Sequence, residues 1–472
     1  MRTRIIAIAT VLSGLVSAQT LKDAVTKTEN ERYESAAADF RALIAKNANN
    51  GQNYFYFGEN YFNSEDVDSA EMMYKKGTEV APTEPLNFVG LGKILLSKND
   101  VNGAKAQFFK ATSISQNKNA EVFRKIAEAY LVTEYKNPDE AITVANTAIK
   151  LDKNNPDGYI ILGDAMLEKN PSDGGGPIRM YKQATTLDPK SAKGIIREGK
   201  LYQRGRNYQL ALDKYKEAEA IDATFAPAYR EKAELYFLAN QPSKSIENWK
   251  KYLELNNSDY ARYRYMSALF KGKQYAEAVT EYEGLKTGSF KNLYLERLAG
   301  YSYAEMGDKK DKEAYTKGLA AINNFFKMAG PNFKYLASDY KYKGILLTKT
   351  GQDSLAYIEL QKAIDKDKSV AGEMYSEMAS IAYGNKNYPK VVAVMEMKEE
   401  NEPGSLSNTD YYSLGKANYY MGQAKLIEAN NIKDKKGREA KAAEAIPYMV
   451  KADSAFSGLV RKNPTWPPAY TW

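Results

Sequence analysis

Three stretches decide the fold: IIREGKLY at residues 195–202, YQLALDKYKEA at 208–218 and APAY at 226–229. In the first, Ile195, Gly199 and Tyr202 are spaced by four and then three residues. They therefore share one face of a helix, in the order large, small, large. The small residue leaves a gap where another backbone must approach. The break Arg204-Gly205-Arg206-Asn207 reads as a turn. In the second stretch Ala211 precedes Tyr215 by four, again small before large. Asp222 then stops that helix, and Tyr229 opens the pattern anew.

Worked outward, the same unit covers the chain. Tyr263 lies 34 residues after Tyr229, and Phe88 lies 34 after Tyr54. The steps Phe88 to Phe123 and Tyr340 to Tyr375 are 35, and those from Phe123 to Tyr159, Tyr159 to Ile195 and Tyr375 to Tyr411 are 36. A small residue follows each of these anchors by four: Gly58, Gly92, Ala127, Gly163, Ala233, Ser267, Gly344, Ala379 and Gly415 complete the series. Further small–large pairs, such as Ala70 with Tyr74 and Ser245 with Trp249, mark the second helix of each unit. A fixed period of this length with two helical patterns per unit means stacked repeats.

The chain resembles the tetratricopeptide-repeat family at these positions, over nearly all of residues 19–472. Tyr or Phe stands where the family usually has Trp. The resemblance implies an all-α fold, a right-handed superhelical solenoid of antiparallel helix pairs, with about a dozen repeats. Residues 308–334 fit the template poorly, Pro177 follows a Gly174–Gly176 insertion, and 424–443 read as a longer, charged insertion. Most of the 37 tyrosines are expected to pack between repeats.

Composition narrows the chemistry. The 472 residues carry no Cys and no His. That excludes disulfides, thiolate nucleophiles, zinc–thiolate centres, imidazole bases and His-ligated metals. Gly174–Gly176 has no following Lys-Ser/Thr and no preceding strand, so it is not a phosphate loop. The expectation is a protein that is not an enzyme and has no cofactor and no metal site. The net charge of +8 is spread thinly and gives no basic stripe for nucleic acid.

Residues 1–18 read as a cleaved export signal: Arg2 and Arg4, an apolar run from Ile5 to Val16, then Ser17 and Ala18 before Gln19. The run is too short to span a bilayer, and no later segment is apolar enough. Loss of the two leader arginines leaves a net charge of +6. A periplasmic or secreted location follows. At the other end, PPAY at 467–470 repeats APAY at 226–229, so the last repeat is expected to be incomplete at Trp472.

The resemblance also implies a concave wall made by the first helix of each pair, with side chains one, five, eight and nine positions after each anchor facing into it. Those positions hold Lys200, Gln203 and Arg204, then Arg230, Glu234 and Phe237, then Arg264 and Lys271. Of these, Lys200, Arg204, Arg230, Phe237 and Arg264 are the candidate groove for an acidic peptide segment or a terminal carboxylate. The alternative is an ordinary solvated helix face. The function expected is a noncatalytic exported scaffold that binds a protein or peptide partner, with an envelope glycan-binding or nutrient-uptake role as the second reading.

Overall fold

The computed structural model describes residues 20–288, 290–306 and 312–465. The leader at 1–18 and the final partial repeat at Trp472 lie outside the described residues. The chain divides into two compact units, Met1–Ala268 and Leu269–Trp472.

The N-terminal unit contains α1 (Leu21–Glu29), α2 (Tyr33–Lys46), α3 (Gly51–Asn63), α4 (Val67–Val80), α5 (Pro85–Ser97), α6 (Val101–Ile114), α7 (Ala120–Val132) and α8 (Pro138–Leu151). It continues with α9 (Pro156–Lys169), α10 (Gly175–Leu187), α11 (Ala192–Arg204), α12 (Tyr208–Ile221), α13 (Ala226–Leu238) and α14 (Pro242–Leu255). The division falls within α15 (Asp259–Lys271). From α1 to α13 each odd-numbered helix packs on the even one that follows, and from α1 to α11 also on the next odd one, the arrangement of a helix-pair solenoid.

Local chemistry sets the helix ends. Asp66, Asp100, Asn137 and Ser191 each accept a hydrogen bond from a backbone N–H in the first turn of the helix they precede. Pro85, Pro138, Pro156 and Pro242 sit in first turns, where no intrahelical donor is lost. Within several pairs the turn passes through one left-handed residue, among them Glu65, Asn99, Arg206 and Asn240. In the turn after α11 that residue is Arg206, while Gly205 keeps φ at −73°.

The period seen in the sequence is a ring-into-gap contact. A Cβ on Gly58 would lie 2.3 Å from Cε1 of Tyr74, and one on Gly90 would lie 2.3 Å from Cδ1 of the same ring. Tyr74 is thus wedged between two first helices, α3 and α5. Gly163 receives Tyr181 and Gly199 receives Tyr215 in the same way, each at 2.5 Å. The anchor tyrosines have a second role. The hydroxyls of Tyr54, Tyr159 and Tyr229 donate to carbonyls six residues upstream, at 3.0–3.1 Å, tying each first helix to the turn before it.

The C-terminal unit contains α16 (Tyr275–Lys286), α17 (Leu293–Glu305), α18 (Lys312–Ala329), α19 (Ala337–Lys349), α20 (Asp353–Lys366), α21 (Ala371–Gly384) and α22 (Tyr388–Asn401). Then come α23 (Asn408–Asn430), α24 (Lys435–Ala443) and α25 (Ile446–Lys462). The poorly fitting stretch holds the 18-residue α18, which packs on α17. Arg297 stands at the anchor position, 34 residues after Tyr263, in place of an aromatic. Its guanidinium lies 4.7 Å from the Phe325 ring and donates to Asp339 at 2.8 Å. The charged insertion is the extension of α23 to 23 residues plus the short α24. The true partner of α23 is α25, whose Phe456 fills the gap at Gly415.

Candidate functional site

The first helices of the N-terminal unit surround a cavity of about 320 Å³. Its walls come from α1, α3, α7, α9, α11 and α13, with Glu31 from the turn into α2 and Tyr33 from the start of α2. The lining is dominated by charge of both signs, and the charges are paired along the wall.

Glu59 is the buried centre of one group. Lys93 reaches it at 2.6 Å and Lys125 at 3.4 Å, and the Tyr74 hydroxyl donates to it at 2.6 Å. Lys125 also holds Glu128 at 2.9 Å. Burial raises the Glu59 carboxyl, but Lys93 and Lys125 outweigh burial and hold it below the usual carboxylate range. Glu128 is lowered by the same contest between burial and Lys125. Lys125 is raised, because Glu128 and Glu59 overcome its burial.

The second group joins the two ends of the unit. Lys193 contacts Asp157 at 2.9 Å and Glu29 at 3.2 Å. Arg230 donates to Glu31 at 2.5 Å and to Glu231 at 3.1 Å, while Lys200 lies 3.4 Å from the same Glu231 oxygen. Tyr252 donates to the other Glu31 oxygen at 2.9 Å. Asn30 donates to Asp222 at 2.7 Å and to Thr224 at 3.3 Å. The turn between α1 and α2 thereby meets helices about 200 residues further along the chain.

Of the residues singled out in the sequence, the structure brings Lys200 and Arg230 into this cavity. Arg204 lines an adjoining hollow, with Lys200 on the shared edge. Arg264 donates to Glu234 at 2.8 Å and lies 5.6 Å over the Phe237 ring, and neither residue lines the cavity. Gln203 accepts from the Tyr215 hydroxyl at 2.7 Å. The face expected to be basic therefore carries carboxylates beside its cations.

Apart from Glu234, the sequence reading did not single out those carboxylates, although their register holds the signal. Five positions after successive anchors stand Glu59, Lys93, Glu128, Asp164 and Lys200. Arg124 was likewise missed, one position after Phe123. Its guanidinium lines the cavity, makes no hydrogen bond among the described residues, and has only Asp152 within ion-pair range, at 3.9 Å.

The repeated ring-into-gap packing and the concave wall of first helices define a tetratricopeptide-like helix-pair protein. No family model matches the chain. Similar solved structures include PilF of Pseudomonas aeruginosa, 16% identical over 45% of this chain and 92% of its own, with a TM-score of 0.38. A thermophilic TPR protein of Thermus thermophilus is 21% identical over 39% of this chain and 99% of its own, with a TM-score of 0.34. The Cut9–Hcn1 hetero-tetramer of the APC/C matches at 10% identity over 85% of this chain and 97% of that one, with a TM-score of 0.35. Likenesses at this level carry nothing beyond the helix-pair architecture already visible in the chain's own packing.

Proposed function

We propose that this protein is a noncatalytic, exported scaffold that holds a segment of a protein partner in the concave cavity of its N-terminal unit. The observation that carries the reading is the cavity itself, walled by first helices and lined by polar groups already fixed by one another. Donors held in place before binding cost little ordering when a segment arrives. Arg124 and the partly exposed Lys200 are the cations with most capacity left for a partner. Absence of His and Cys supports the noncatalytic part, and the pattern at residues 1–18 supports export to the periplasm or beyond.

Lys200→Trp tests the site. The Lys200 side chain is 45% exposed, so an indole there projects into the cavity without displacing the core. Full-length protein immobilised in native cell extract is expected to capture a partner, and Lys200→Trp to lose at least about tenfold of that capture, or about 1.4 kcal/mol. Equal capture by a normally folded variant removes the cavity from the account.

A further inference from the structure

The cavity's carboxylate receptor is already occupied, and its occupant belongs to the chain. Three consecutive residues, the last of α1 and the first two of the turn into α2, are each recognised by distant groups. Glu29 meets Lys193 at 3.2 Å. The Asn30 amide donates to Asp222 and Thr224. Glu31 is held at both oxygens, Oε1 by Arg230 at 2.5 Å and Oε2 by Tyr252 at 2.9 Å. Tyr252 is buried, and its own hydroxyl oxygen accepts from Asn256 at 2.7 Å, which fixes the donor's position. Two fixed donors on two oxygens of one carboxylate form a specific receptor rather than a chance surface pair.

The occupant is attached by polar contacts. The apolar cluster that holds α1 and α2 comprises Ala24, Ala36, Ala37, Phe40 and Phe57, with its packed neighbours ending at Met73. It includes no residue of α11 to α14. Glu29 and Glu31 therefore reach Lys193 and Arg230 through charge and hydrogen bonds, which water and a competing carboxylate can replace at modest cost.

We infer that the Glu29-Asn30-Glu31 turn is an in-chain stand-in for the partner, and that the partner presents an acidic segment, carboxylate–amide–carboxylate, that displaces it from Lys193, Arg230 and Tyr252. This inference rests on the proposed function and deepens it by naming the chemistry of the segment and the step that regulates its access. Closure reduces the apparent affinity by the fraction of molecules in which the receptor is open. Removal of the stand-in should recover that factor.

The test uses the full chain and a fluorescein-labelled synthetic peptide, TKTENERYE, copied from residues 26–34. In fluorescence anisotropy, Glu31→Gln is expected to bind the peptide about tenfold more tightly than the unchanged protein. Adding Arg230→Glu to that variant should abolish the gain, and a peptide with both central glutamates replaced by glutamine should bind neither form. Hydrogen exchange should show α1 and α2 less protected in Glu31→Gln. The inference is overturned if α1 and α2 loosen with no gain in peptide affinity, if their protection does not change, or if the glutamine peptide binds equally well. Loss of partner capture in Lys200→Trp alongside any of those results would leave the scaffold reading standing and remove only the role given to the turn.

Discussion

Replacing Glu59 with alanine is expected to destabilise the N-terminal unit by about 3–5 kcal/mol, the range for a buried ion pair that loses one member. The magnitude follows from what is left behind. The Lys93 side chain is 1% exposed and pairs with Glu59 at 2.6 Å. Its ammonium would remain buried without a counter-charge, and the buried Tyr74 hydroxyl would lose its acceptor. Glu59→Leu combined with Lys93→Met should recover the part due to the stranded ammonium, because an apolar pair removes that desolvation cost, while the Tyr74 hydroxyl still lacks its acceptor. Urea unfolding of the full chain, followed by circular dichroism, reads both. A loss below about 1 kcal/mol in the single variant would mean that this belt does not hold the cavity wall in place.

Acid should act on the same belt. Glu59 and Glu128 have folded-state carboxyls below their ordinary value of 4.5. For a lowered carboxyl, the stabilisation is complete above the unfolded value and is lost as pH falls through the folded one. The N-terminal unit is therefore expected to weaken progressively below pH 4.5, by up to about 2.7 kcal/mol per pH unit where both groups are protonated in the unfolded chain and still ionised in the folded one. Lys125 has the opposite sign: raised above 10.5, it contributes fully below that pH and is lost as pH rises further. Thermal unfolding measured between pH 7 and pH 3 should show the acid limb, and the Glu59→Leu, Lys93→Met variant should flatten it. A melting temperature unchanged down to pH 3 would contradict the assignment.

The fold was legible because its packing is local and periodic. Gly199 with Tyr215 and Gly58 with Tyr74 meet within one unit, so residue size at fixed spacing was enough. The reading faltered where the chemistry changed within the same geometry. At Arg297 a cation among Phe325, Phe333 and Asp339 does the packing of an aromatic anchor. At residues 424–443 a longer helix postpones the partner of α23 to α25. The site was legible only in part, for two reasons. A positional rule names the face a side chain lies on, and Lys200 and Arg230 do line the cavity, but it does not name the neighbour that neutralises them. The contacts of Asn30 and Glu31 with Asp222, Arg230 and Tyr252 join residues 192 to 221 apart, and no repeat period encodes them.

The central claim, that the concave cavity of the N-terminal unit holds a partner segment, is tested most directly by site-specific photo-cross-linking in the full chain. A benzophenone amino acid is placed at Lys200, on the cavity edge, and in a second protein at Phe109, which is 74% exposed on the second helix α6. The account predicts a partner adduct from position 200, competed by the unlabelled partner segment, and none from position 109. An adduct from position 109 with none from position 200 would contradict it.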